Sequence, residues 1–360
     1  MITEKEIIEQ LQQGKILLPP LSIRLLQVYP ETDGNLKFDA FLEASWKNKT
    51  AKFFVEITAN WTPKSFQNAI NLLKSSSPLQ GYQPMLIMPF LSEQRLQELE
   101  REEISGIDLC GNGVVVPGSF AVFRSGEKNR FTSSAPIKNI YRKNSSMVGR
   151  VFLLRSGFDT VQEVRAEINQ RNILIQYGAK TPMSLSTVSK SLKALVEDLI
   201  IERNNVIRLL QADKLLEKLT ENYLPPNVKE RVRLKVPEAS GTLQELLLTE
   251  SRKLELPLVA AGTSSVTQYA AMQRGDLLTV YCPRLEGLLE KLPGDQSDRF
   301  PNLELVETDD ETVFFDARQE GNFWWASPVQ VYLELMAGDK RDQETAEQVK
   351  SLIMKNLQTV

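Results

Sequence analysis

The stretch Thr181-Pro-Met-Ser-Leu-Ser-Thr-Val-Ser-Lys-Ser-Leu-Lys-Ala-Leu-Val196 decides how the chain is read. Leu185, Val188, Leu192 and Leu195 recur at intervals of three, four and three, which is one face of an α-helix. The opposite face carries Ser186, Thr187, Ser189, Lys190 and Lys193. Short hydroxyls and cations suit base edges and phosphates. Two strand-like runs follow, Ile200-Ile-Glu-Arg203 and Val206-Ile-Arg-Leu-Leu210, joined at Asn204-Asn205. Asparagine tolerates the positive φ of a tight hairpin turn.

A polar-faced helix followed by a two-stranded hairpin is the outline of a winged helix-turn-helix. It makes double-stranded DNA the expected partner, with Arg203 and Arg208 reaching out from the hairpin. An amphipathic surface helix beside an ordinary hairpin is the alternative. Charge favours the first. Between Arg124 and Lys193 there are thirteen Lys/Arg against four Asp/Glu, a net of +9, within a chain whose total is −3. From Leu285 onward sixteen acids face seven cations, a net of −9. A basic block leading into the helix is the footprint of phosphate contact.

Composition removes several functions. With no histidine among 360 residues, Ser-His-Asp and Cys-His catalysis and the usual zinc sites are excluded. Catalysis would fall to carboxylates, Lys, Tyr, Ser or a hard metal such as Mg²⁺. Cys110 and Cys282 are far apart, so neither a disulfide framework nor a zinc pair is expected. No apolar run spans a bilayer and the N-terminus is polar, so the expected protein is cytoplasmic and does not associate with membranes.

Outward from the helix, three domains are expected in a multidomain α/β (α+β) chain: 1–142, 143–223 and 224–360. In the first, Glu4–Gln13 reads as an amphipathic helix and Leu21–Val28 as a second short one. Leu36–Trp46 and Ala51–Ala59 read as strands, Pro63 starts a helix, Met85–Pro89 is a buried strand and Ser92–Glu103 a charged helix. Residues 118–145 are rich in Ser, Gly, Pro and cations. Pro136–Lys143 reads as a basic connector. In the middle domain, Val148, Val151, Phe152 and Leu154 mark a first helix, and Asp159 or Thr160 caps a helix over Val161–Asn169. Ala212–Tyr223 is a helix behind the hairpin. In the last domain, Thr242–Leu254 is helical and Pro257–Ala261 is a strand. Gly262-Thr-Ser-Ser265 leads into a helix over Val266–Met272, a turn able to hold a phosphate or to act as a plain cap. Leu277–Tyr281 and Val313–Asp316 read as strands, and Ser327-Pro328 starts a helix that ends at Gly338. Trp324-Trp325 reads as core or as an interface patch. A last helix buries Ala346, Val349, Ile353 and Leu357.

Two resemblances follow from these residues. Asp39, Glu56-Ile-Thr58 on the next strand and Pro63-Lys-Ser-Phe-Gln67 on a helix resemble the restriction-endonuclease-like PD-(D/E)xK core. The resemblance implies Asp39 and Glu56 as Mg²⁺ ligands. Thr58 occupies the motif's lysine position, leaving Lys64 as a substitute and Gln67 as an accessory polar group. The implied activity is a Mg²⁺-dependent nuclease or, with the motif degenerate, a silent nuclease fold with no cofactor.

The second resemblance is to the AbiEi family of transcriptional regulators, the antitoxins of type IV toxin–antitoxin systems. It rests on Asp108-Leu-Cys-Gly-Asn112, the helix-turn-helix, Lys214-Leu-Leu-Glu-Lys-Leu-Thr-Glu-Asn-Tyr223, Val259-Ala-Ala-Gly262, Ala326-Ser-Pro-Val-Gln-Val-Tyr-Leu-Glu-Leu335 and Asp339-Lys-Arg-Asp-Gln-Glu-Thr-Ala-Glu347. It implies a repressor of its own operon that opposes a nucleotidyltransferase-like toxin. It also implies a nucleotidyltransferase-like C-terminal unit, here without an Asp-x-Asp pair after Gly262. A homodimer on a palindrome is one compatible assembly.

Overall fold

The computed structural model describes residues 2–30, 38–76, 80–116, 120–131, 139–237, 240–271, 276–320 and 323–358. Leu36 of the expected strand, the first residues of the basic connector (136–138) and Met272 lie outside them. The chain is mixed α/β and divides into two compact units, Met1–Pro136 and Ile137–Val360. No helix among the described residues is long and apolar enough to cross a membrane.

The first unit opens with α1 (Glu4–Gln12), where Thr3 and Glu6 form a reciprocal capping box. Its sheet runs in chain order: β1 (Ser22–Val28), β2 (Ala40–Trp46), β3 (Lys49–Ile57), β4 (Tyr82–Met88), β5 (Ser105–Asp108), β6 (Gly113–Val115) and β7 (Val122–Arg124). β1, β2 and β3 pair antiparallel, β3, β4 and β5 parallel, and β5, β6 and β7 antiparallel. The parallel steps need crossovers, supplied by α2 (Pro63–Ser75) and α3 (Glu93–Arg101), whose N-caps are Thr62 and Ser92. Side chains alternate along β3. Phe53, Val55 and Ile57 join the core that α1 seals, while Phe54 joins the core under α2 and α3. At the β5–β6 turn the buried Asp108 carboxylate accepts N–H groups from Cys110, Gly111, Asn112 and Leu91, plus the Asn112 amide.

Leu21–Val28, expected as a helix, is instead β1. Leu25 and Leu26 are adjacent in the sequence and break its alternation, and the strand takes up the extra residue as a register shift between Leu25 and Gln27.

The second unit begins with α4 (Lys143–Arg150), extended by a 3₁₀ turn over Val151–Leu153. Then come β8 (Gly157–Phe158), α5 (Val161–Arg171) capped by Thr160, α6 (Ile173–Gln176), α7 (Leu185–Glu197), β9 (Ile201–Arg203), β10 (Ile207–Leu209) and α8 (Ala212–Glu221). β8, β10 and β9 form a three-stranded antiparallel sheet in that order.

The remaining chain builds a seven-stranded mixed sheet, β14-β11-β15-β13-β12-β17-β16. Its strands are β11 (Glu230–Lys235), β12 (Val259–Ala260), β13 (Leu278–Cys282), β14 (Asp295–Gln296), β15 (Leu303–Glu307), β16 (Arg318–Glu320) and β17 (Phe323–Trp325). The helices are α9 (Ser240–Lys253), α10 (Gly262–Ser265), α11 (Glu311–Phe314), α12 (Pro328–Met336) and α13 (Lys340–Gln358). Trp325 is buried in the core beside Phe323.

Two expectations are corrected here. Val313–Asp316 is not a strand, because the Asp310 carboxylate caps a helical turn by accepting the Thr312 N–H. The helix expected from Val266 is a single 3₁₀ turn, Val266–Gln268, after the four-residue α10.

The residues expected as separate middle and C-terminal domains share one core. Val188, Leu192 and Leu195 of α7 belong to the same apolar cluster as Leu333 of α12 and Val349 and Ile353 of α13. A polar seam reinforces it. The buried Glu311 carboxylate accepts amide N–H groups from Asn144 and Asn172, and Arg171 pairs with the buried Asp316.

Candidate functional site

The α7 face is built from its cap outward. Ser184 accepts the Thr187 N–H at 3.1 Å, and the two hydroxyls lie 2.9 Å apart. This satisfies a first-turn donor and fixes where the helix begins. Val188, Leu192 and Leu195 then bury fully, with Ser191 beneath the helix beside them. Leu185, expected on the buried face, is 40% exposed, since the first turn projects past the core.

That packing turns Ser186, Lys190 and Lys193 to solvent and leaves Thr187 and Ser189 half-buried. On the hairpin, Arg203 of β9 and Arg208 of β10 are exposed. Among the described residues none of Lys190, Lys193, Arg203 and Arg208 enters an ion pair. Other members of the basic block are neutralised within the fold. Arg124 pairs with Glu127, Arg155 with Glu163, and Arg171 with Glu167 and Asp316. Those three pairs take part of the block's charge, while the cations of α7 and the hairpin keep theirs. A face of this kind offers hydroxyls that donate and accept and four cations with no internal partner.

The second place is the carboxylate pair of the first unit. Asp39 precedes β2; its backbone N–H donates to Val55 and its Oδ2 accepts the Ile57 N–H at 2.7 Å. Glu56 projects from β3 beside it. Burial, followed by the charges of Asp39 and Glu4, pushes the Glu56 carboxyl up to about 7. Burial also raises Asp39 against the pull of the Ile57 hydrogen bond. A partly desolvated pair of like charges gains from a cation between them.

Asp39 and Glu56 fit a Mg²⁺ ion as a minimal donor pair, but no group of three or more acidic or cysteine ligands gathers anywhere among the described residues. Thr58, at the motif's lysine position, donates its backbone N–H to Ile87. Lys64 is half-buried on the first turn of α2 and makes no ion pair among the described residues. Gln67 donates its amide to Glu98 of α3 at 2.5 Å.

The third place is the turn at Gly262. Its donors already have an anion, the carboxylate of the half-buried Glu334 on α12. Glu334 accepts the Thr263 N–H at 3.3 Å, the Gln330 amide at 2.9 Å and the Tyr281 hydroxyl at 3.3 Å. Burial pushes this carboxyl up against those hydrogen bonds. A Cβ on Gly262 would lie 2.7 Å from the carboxylate, so a larger residue would push the Glu334 carboxylate off its hydrogen bonds. Ser264 accepts the Thr279 N–H; Ser265 donates to Ala260 and accepts from Ala326. The turn is thus a structural joint, and the phosphate-holding alternative is replaced by an internal carboxylate. Glu334 had one sequence signal, an acid inside the apolar run Val331-Tyr-Leu-Glu-Leu335 four residues after Gln330. Comparison with protein-family models, curated proteins and solved structures returns no match for this chain.

Proposed function

We propose that the chain is a DNA-binding transcriptional regulator in which residues 143–223 act as a winged helix-turn-helix. α7 would enter the major groove and the β9–β10 hairpin would lie along the phosphate backbone. The observation that carries this reading is the exposed α7 face with Lys190 and Lys193, beside Arg203 and Arg208 of the hairpin, none of them in an ion pair among the described residues. The order of elements supports it: helix, short strand, two helices, polar-faced helix and hairpin, with β8 paired to β10. A gel-shift assay with the DNA upstream of its own reading frame tests it, repeated across salt concentrations. Retention should fall steeply with salt. Undiminished binding by the Lys190→Glu/Lys193→Glu variant would sink the assignment of α7.

In its narrower form the proposal is an AbiEi-like antitoxin that represses its own operon and opposes a nucleotidyltransferase-like toxin, with a non-catalytic C-terminal unit. The internal carboxylate at Gly262 is in keeping with a non-catalytic role. Co-purification with the product of the neighbouring gene tests this form; a neighbour that neither binds nor inhibits growth counts against it.

A second reading is favoured by the carboxylate pair. The helix, three antiparallel strands, crossover helix and parallel strand of α1, β1, β2, β3, α2 and β4 resemble the element order of the PD-(D/E)xK core, which supports this reading. In this reading Asp39 and Glu56 bind Mg²⁺ and orient an attacking water, with Lys64 in place of the missing strand lysine. Supercoiled plasmid incubated with Mg²⁺ separates the readings. Nicking that disappears in Glu56→Ala supports the nuclease; intact plasmid supports a silent fold.

A further inference from the structure

Arg150, the last residue of α4, is 3% exposed and makes no ion pair among the described residues. Its Nη1 donates to the Thr312 carbonyl at 3.2 Å and the Gln330 Oε1 at 2.8 Å, while its Nε is buried without an acceptor. A buried guanidinium hydrogen-bonded only to neutral oxygens is costly, and the nearby charges of Asp310 and Glu334 offset that cost only in part. Burial accordingly lowers its pKa to about 10.

Arg150 lies on the wall of a cavity of about 350 Å³ whose lining also includes Arg142, Lys143, Tyr141, Tyr223 and Asp310. Arg142 and Lys143 stand at the start of α4, where the first turn has no side-chain cap. First-turn N–H groups favour an anion. Three cations therefore line the cavity against a single carboxylate, and Asp310 Oδ1 is already held by the Thr312 backbone and hydroxyl. The volume lies at the lower end of the small-molecule range, roughly 300–1,000 Å³.

We propose that this cavity binds a small anionic molecule through a phosphate or carboxylate group, held by Arg150 from within and by Arg142 and Lys143 at the mouth. The site shares no residue with the α7 face, so its test is independent of the DNA-binding reading. A guanidinium donates to either head group in a forked geometry, and the two lysine- and arginine-bearing mouth positions add charge without added burial.

The full chain is titrated calorimetrically with inorganic phosphate and, separately, with succinate, in buffers matched in ionic strength with sodium chloride. Saturable heat with one probe or both, together with a rise in Tm that sodium chloride does not give, is expected; the responding probe identifies the head group. Arg142→Ala/Lys143→Ala alters exposed side chains only. It should leave the ligand-free Tm unchanged and weaken binding at least about tenfold. Arg150→Gln should abolish binding while retaining the circular dichroism spectrum; if it fails to fold, the mouth variant decides. Absence of saturable binding by both probes, or equal binding by the mouth variant, overturns the proposal.

Discussion

Two segments of this chain look alike in sequence and differ in what their polar groups do. Ser184–Lys193 and Gly262–Ser265 are both rich in small hydroxyls at the start of a helix. At α7, Ser184 and Thr187 satisfy each other, and Ser186, Lys190 and Lys193 face solvent with no partner among the described residues. At Gly262, Thr263, Ser264 and Ser265 are bonded to Glu334, Thr279, Ala260 and Ala326. Residue type alone does not separate a binding face from a joint. What separates them is whether the fold has already supplied the partners.

The contrast is broken most forcefully at the joint. Glu334→Ala removes the acceptor of the part-buried Thr263 N–H and Tyr281 hydroxyl and should cost about 2 kcal/mol in urea unfolding. DNA affinity per folded molecule should be unchanged. Gly262→Ala forces a Cβ against the same carboxylate and should cost about 2 kcal/mol. If either variant is as stable as the parent, the joint is not closed as described.

The converse change, Lys190→Glu/Lys193→Glu, should lower DNA affinity about a hundredfold, or ~2.7 kcal/mol. It should flatten the salt dependence and shift stability by under about 0.5 kcal/mol. A large loss of stability would mean the face is packed, not presented.

A third test turns to Glu56. Its folded pKa of about 7 lies above the ordinary value of 4.5, so the native state binds the proton more tightly than the unfolded chain. The stability it supports is full below about 4.5 and declines as pH rises through about 7. Glu56→Gln should remove that decline. Carboxyl chemical shifts measured with Mg²⁺ should show the titration moving to lower pH if the pair holds the ion, and no movement if it does not. The smallest effect belongs to Ser186→Ala, which removes one hydroxyl and should weaken DNA binding by a few-fold, about 1 kcal/mol.

Helices with a cap and a clean apolar stripe were legible in the chain. Thr160 before Val161 and Ser327-Pro328 each mark a start that the structure keeps. Strands whose pattern is set by distant partners were not. β11 alternates Val232 and Leu234 with charged residues, and β15 buries Glu304 because Arg231 and Arg233 reach across to it. Those pairings join residues some seventy positions apart, which no local window contains. The α7 face was readable because exposure there follows helical periodicity. The role of Glu334 was not, because an acid in an apolar helix makes sense only once Gly262 and Tyr281 are brought to it.

The Glu311 carboxylate clasped by Asn144 and Asn172 sets how the helical segment is carried. A reading head on a loose tether samples many bearings and loses entropy each time it docks. One bolted to a sheet through a buried clasp arrives already aimed. Whatever grips the C-terminal sheet therefore inherits control over the bearing of α7, and if α7 reads DNA as proposed, loosening that clasp would detune recognition without altering the α7 face itself.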